Sequence, residues 1–68
     1  MMNAEGGDPY YNIVSFVRNS VKRFGRVVMR KRATKLIESL ESNQISAAQN
    51  DWLQMYKAAC REVIGGEF

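Results

Sequence analysis

The sequence predicts a small all-α protein, a three-helix domain made of a kinked basic N-terminal helix and a helical hairpin. Three observations predict it. Asp8-Pro9 is a helix start, two apolar stripes at helical spacing occupy residues 13–40, and Ser46 to Gly65-Gly66 brackets a third amphipathic segment. With 68 residues there is room for one domain. An apolar content of 46% is too high for a wholly disordered chain.

Residues 1–8 lack periodicity and read as a flexible tail ahead of a single helical domain over 9–66. Asp8 suits the N-cap because its carboxylate accepts hydrogen bonds from the orphan N–H groups of the first turn. Pro9 suits the first helical position, where its missing N–H costs nothing. A first helix over about 9–29 follows. At about 100° per residue, Ile13, Val14, Phe16, Val17, Val21, Phe24, Val27 and Val28 fall on one arc of about 160°. Arg18, Lys22, Arg23, Arg26 and Arg30 oppose them. Gly25 weakens this helix by up to about 1 kcal/mol relative to alanine.

A second stripe, Met29, Ala33, Leu36, Ile37 and Leu40, is rotated by about half a turn from the first. One straight helix cannot turn both stripes to one core, so either the chain breaks near Met29–Lys31 or a single long helix packs against two different neighbours; a break is the expectation, with a second helix over 31–41. Residues 41–45 form a polar connector of ordinary length. Ser46-Ala47-Ala48-Gln49 fits a capping box, which opens a third helix over 47–64. Trp52, Leu53, Tyr56, Ala59, Cys60, Val63 and Ile64 share its apolar face, and Gly65-Gly66 supplies a left-handed C-terminal cap.

The same composition excludes much chemistry. Histidine is absent and Cys60 is the single cysteine. The commonest general base, the commonest zinc ligand, an internal disulfide and any Ser-His-Asp or Cys-His arrangement are therefore missing. No glycine-rich phosphate loop or acidic calcium loop occurs. The expectation is a protein that is not an enzyme and takes no cofactor, metal or small-molecule substrate. No apolar run exceeds three residues, and the N-terminal residues lack a basic start and apolar stretch, so a cytoplasmic protein is expected.

Charge is the informative feature. The segment 9–37 holds eight basic residues and no acidic one: Arg18, Lys22, Arg23, Arg26, Arg30, Lys31, Arg32 and Lys35. The rest of the chain holds two basic and seven acidic residues. Such a face suits nucleic-acid phosphates, contacted without strong sequence preference because no helix-turn-helix, zinc-finger or RNA-binding motif accompanies it. Arg18, Lys22, Arg26 and Arg30 recur every four residues along one edge, with Arg23 beside them. Lys31, Arg32 and Lys35 extend the patch, and Asn12, Ser15, Asn19 and Ser20 add polar groups. The plain reading of these charges is the solvated face that every amphipathic helix needs.

The alternative function is a helical interaction module, an adaptor, inhibitor or oligomeric subunit that binds an acidic protein surface or its own copy. Its expected interface is the second stripe, Met29, Ala33, Leu36, Ile37 and Leu40. A core this small would be completed in an ordinary way by a homodimer. A membrane-surface helix uses similar ingredients, but the fold needs that apolar face for its own core.

Overall fold

The computed structural model describes residues 8–68; residues 1–7 of the expected tail over 1–8 lie outside them. Three helices follow one another, α1 (Pro9–Phe24), α2 (Arg26–Glu41) and α3 (Ala47–Val63). The expected all-α three-helix domain is what the chain forms.

Asp8 caps α1 with backbone φ −98° and ψ 104°, and its Oδ1 accepts from the N–H groups of Tyr10 at 3.0 Å and Tyr11 at 3.3 Å. The capping box of α3 is complete. The Gln49 N–H donates to Ser46 Oγ at 3.1 Å, and the Ser46 N–H donates to Gln49 Oε1 at 2.9 Å. At the other end of α3 the Gly65 N–H donates back to the Cys60 carbonyl at 3.2 Å, with φ +89°. Between α2 and α3 the connector is tied down by Ser42 and Asn43, whose side chains both donate to the Ser39 carbonyl.

The break in the basic segment corrects the expected boundaries. α1 does not run to Met29, and α2 does not wait for Lys31; a single residue, Gly25, separates them. Its φ of +89° with ψ of 158° is a conformation essentially restricted to glycine. Gly25 caps both helices: its N–H donates to Val21 O at 2.8 Å, closing α1, and its carbonyl accepts from the Met29 N–H at 3.0 Å, opening α2. The half-turn mismatch between the stripes has to be absorbed at one backbone position. Gly25, the only glycine between Asp8 and Ile64, adopts the required angles at least cost.

The core takes Ile13, Val14 and Val17 from α1, Met29, Ala33 and Ile37 from α2, and Leu53, Tyr56, Ala59 and Cys60 from α3, closed by Ile64. α1 packs most extensively on α3. Tyr10 fixes the start of α1 to the end of α3 by donating its hydroxyl hydrogen to Glu62 Oε1 at 2.7 Å. Moving the break four residues upstream changes which apolar side chains are covered. Val27 and Val28 now belong to the outer side of α2, and Val27 is 71% exposed. Phe16, Phe24 and Trp52 are also left exposed, Trp52 stacked on Tyr56 with ring centroids 5.0 Å apart.

Candidate functional site

The wheel of each helix explains where its cations go. On α1 the buried row is Ile13, Val17 and Ser20, so Arg18 and Lys22 face away from the core. Arg23 shares a flank with Phe16 and Asn19. On α2 the buried row is Met29, Ala33 and Ile37, so Lys31 and Lys35 lie opposite it. Arg32 and Leu36 occupy one flank and Arg30 the other. Arg26 stands at the first turn of α2. Seven of the eight expected contact residues are exposed.

Arg30 is the exception: it is half-buried and engaged within the chain. Its Nη2 donates to the Gly65 carbonyl at 2.9 Å, and its guanidinium lies 5.4 Å from the centre of the Phe68 ring. Gly65 lies just beyond the C-cap of α3, and a charged donor on its carbonyl makes a charge-assisted hydrogen bond. Arg30 therefore ties α2 to the chain after α3.

None of the eight is neutralised in an ion pair among the described residues, where the salt bridge is Lys57–Glu41 at 3.0 Å. α2 adds to the same positive field. Its N-cap, Gly25, has no side chain to accept from the first-turn N–H groups, and its first turn holds no acidic residue.

The expected interface stripe is also corrected. Met29, Ala33 and Ile37 are buried inside the single chain, because the kink at Gly25 turns them onto α1 and α3. They are core, not a docking face. Leu40 packs half-buried at the edge of that core, and only Leu36 stays exposed, at 38%.

What the break creates instead is a groove of about 440 Å³ between the Phe16–Arg23 flank of α1 and the Arg32–Leu36 flank of α2, floored by Met29 and Tyr56. Its lining contains two cations and no carboxylate. Both cations converge on one ring, with the Arg32 guanidinium 4.3 Å and the Arg23 guanidinium 5.7 Å from the centre of Phe24. Phe16 is 57% exposed at the groove. Ser20 is 9% exposed there, and its hydroxyl makes no hydrogen bond among the described residues. Sequence reasoning placed Phe16 and Phe24 in the core and did not find this groove. The available signal was Ser20 itself, a polar residue in line with Ile13 and Val17.

Burial pushes the Cys60 thiol pKa up and the Tyr56 phenol up to about 12, with the neighbouring thiol a further cause for the phenol. No helix among the described residues is long and apolar enough to cross a membrane. No cluster of three potential metal-binding side chains occurs among them. Compared with protein-family models, curated proteins and solved structures, the chain matches none of them.

Proposed function

We propose that this protein is a small, non-enzymatic accessory or regulatory protein of the cytoplasm whose basic surface on α1 and α2 contacts nucleic-acid phosphates without strong sequence preference. The observation that carries this reading is the set of seven exposed cations, Arg18, Lys22, Arg23, Arg26, Lys31, Arg32 and Lys35, none of them in an ion pair among the described residues. A chain that needed only a solvated face would gain from interspersed carboxylates at i and i+4. The 29 residues from 9 to 37 contain none. Self-repulsion in such a face is relieved when its cations neutralise phosphates, displacing the counterions condensed on the nucleic acid.

The test is fluorescence anisotropy of a labelled duplex of random sequence, titrated at several salt concentrations. The affinity should fall linearly on a log–log plot, with a slope of about −0.9 per phosphate contact. Replacing Arg18 and Arg26 together by glutamate should abolish binding while the circular-dichroism spectrum stays helical. Absence of binding by the wild-type chain at low salt rejects the reading.

A second reading, a helical module that binds an acidic protein surface or its own copy, is favoured by one observation. Phe16, Phe24, Val27, Val28 and Leu36 all remain exposed on a chain this short. Sedimentation equilibrium distinguishes self-association from a monomer.

A further inference from the structure

The groove between α1 and α2 has three properties that belong together. First, its rim is cationic: Arg23 and Arg32 stand over Phe24, and no carboxylate lines the cavity. An anion is therefore the favoured neighbour. Second, it offers an aromatic surface in Phe16. An exposed phenyl ring beside a guanidinium is suited to a flat π-system, which stacks on the ring while the cation meets the attached negative charge. Third, it is not purely apolar. Ser20, only 9% exposed, lines it with a hydroxyl that has no partner among the described residues, and the exposed Asn19 lines it as well.

The third property decides the kind of occupant. A serine inside a helix ordinarily satisfies its hydroxyl on the carbonyl one turn back. Leaving a buried hydroxyl unpaired is costly, and such groups in native proteins call for an explanation. An aliphatic anchor from a partner helix would cover Ser20 and leave it unpaired. A planar group with polar edges would satisfy it. Among anionic molecules that combine a flat ring, polar edges and a flanking phosphate, an unpaired nucleotide of a single strand fits all three properties. The volume of about 440 Å³ is that of an ordinary small-ligand site.

We propose that this groove receives an unpaired base of single-stranded nucleic acid, stacked on Phe16 with its edge toward Ser20 and Asn19 and its phosphate between Arg23 and Arg32. The inference rests on the phosphate-contact reading above and adds to it a preference for single strands. Paired bases inside a duplex cannot enter the groove, so duplex binding would use the outer cations alone.

The test separates the two ideas by comparing strands with the same phosphates. A fluorescein-labelled oligodeoxythymidylate and an abasic strand of equal length are titrated with the full chain at the same series of salt concentrations, beginning at low salt. The base-bearing strand should bind about tenfold more tightly, within the range that base–aromatic stacking supplies. Trp52, stacked on the groove residue Tyr56, should report its binding by a change in intrinsic fluorescence. Phe16→Ala should reduce the two strands to equal affinity, and the substitution removes an exposed ring rather than core. Ser20→Ala should leave thermal stability unchanged or raise it, because an unpaired hydroxyl is removed, while weakening the base-bearing strand several-fold.

Equal binding of both strands with a steep salt dependence overturns the base pocket and leaves the phosphate reading standing. Failure of both strands to bind overturns the phosphate reading and the pocket with it. If both fail while an acidic amphipathic peptide shifts Trp52 fluorescence in a Phe16-dependent way, the groove serves a protein helix and the proposal is wrong.

Discussion

The Arg30 guanidinium donates to the Gly65 carbonyl at 2.9 Å across 35 residues of sequence, joining the flank of α2 to the exit of α3. Its planar face also covers Phe68. Arg30→Ala removes a charge-assisted hydrogen bond and a cation–π contact together, and should cost about 1–3 kcal/mol of unfolding free energy. Arg30→Lys should recover part of that, since an ammonium reaches the carbonyl but lacks the planar fork. Urea denaturation measures both. The salt slope of nucleic-acid binding should be unchanged in either variant; a shallower slope would return Arg30 to the phosphate contacts.

Gly25 carries the change of direction between α1 and α2. A Cβ there meets nothing within 4 Å, so the penalty of Gly25→Ala is one of backbone conformation alone. At φ +89° and ψ 158° it should be about 1–3 kcal/mol. The chain is short enough for chemical synthesis, and D-alanine at this position should melt at or above the wild-type temperature. A wild-type melting temperature for the L-alanine variant would show that the break is made elsewhere.

Leu36 and Ile37 are sequence neighbours with opposite fates. Ile37→Ala should cost about 2–5 kcal/mol because it opens a cavity in the shared core. Leu36→Ser, on the groove edge, should change stability by no more than about 0.5–1 kcal/mol. Thermal denaturation followed by circular dichroism ranks the two. Equal losses would mean that α2 is rotated from the orientation described above.

Alkali should unfold the protein in a defined window. The Tyr56 phenol is pushed up to about 12 by burial, with the Cys60 thiol as a second cause. The Tyr10 phenol is shifted upward mainly by its hydrogen bond to Glu62. A folded-state pKa above the unfolded value means that the unfolded chain releases its proton first. The stability held by the Tyr56 proton is complete below about pH 10 and is lost as the pH rises toward about 12, and the Tyr10 proton adds to the loss in the same direction. Tyr56→Phe should flatten the decline, and ultraviolet absorbance of tyrosinate should show a late-titrating phenol that disappears in this variant.

Much of the architecture was legible from local chemistry. Asp8-Pro9 and Ser46–Gln49 set helix starts because their hydrogen bonds close within three residues of sequence. The apolar row of α3 held at Leu53, Tyr56, Ala59, Cys60 and Ile64 for the same reason, since helical periodicity alone places them on one face. The incompatibility of the two N-terminal stripes was visible too, and it favoured a break over one long helix, which is what the chain shows. Its position was not, because periodicity says that the phase must change without saying which backbone unit yields.

That position is a tertiary matter, and the site follows from it. With the break at Gly25 rather than Met29–Lys31, Met29, Ala33 and Ile37 turn inward and cease to be a surface, while Phe16, Phe24 and Val27 are left outside. Arg30 is drawn to a carbonyl that sequence reasoning had no means of placing nearby. Charge content, helix number and the absence of histidine and paired-cysteine chemistry belong to the sequence by itself, because they depend on residue identity and on contacts within a turn or two. The groove, the convergence of Arg23 and Arg32 on Phe24, and the unpaired Ser20 hydroxyl were decided only by tertiary structure, because each depends on how two helices meet across a single glycine.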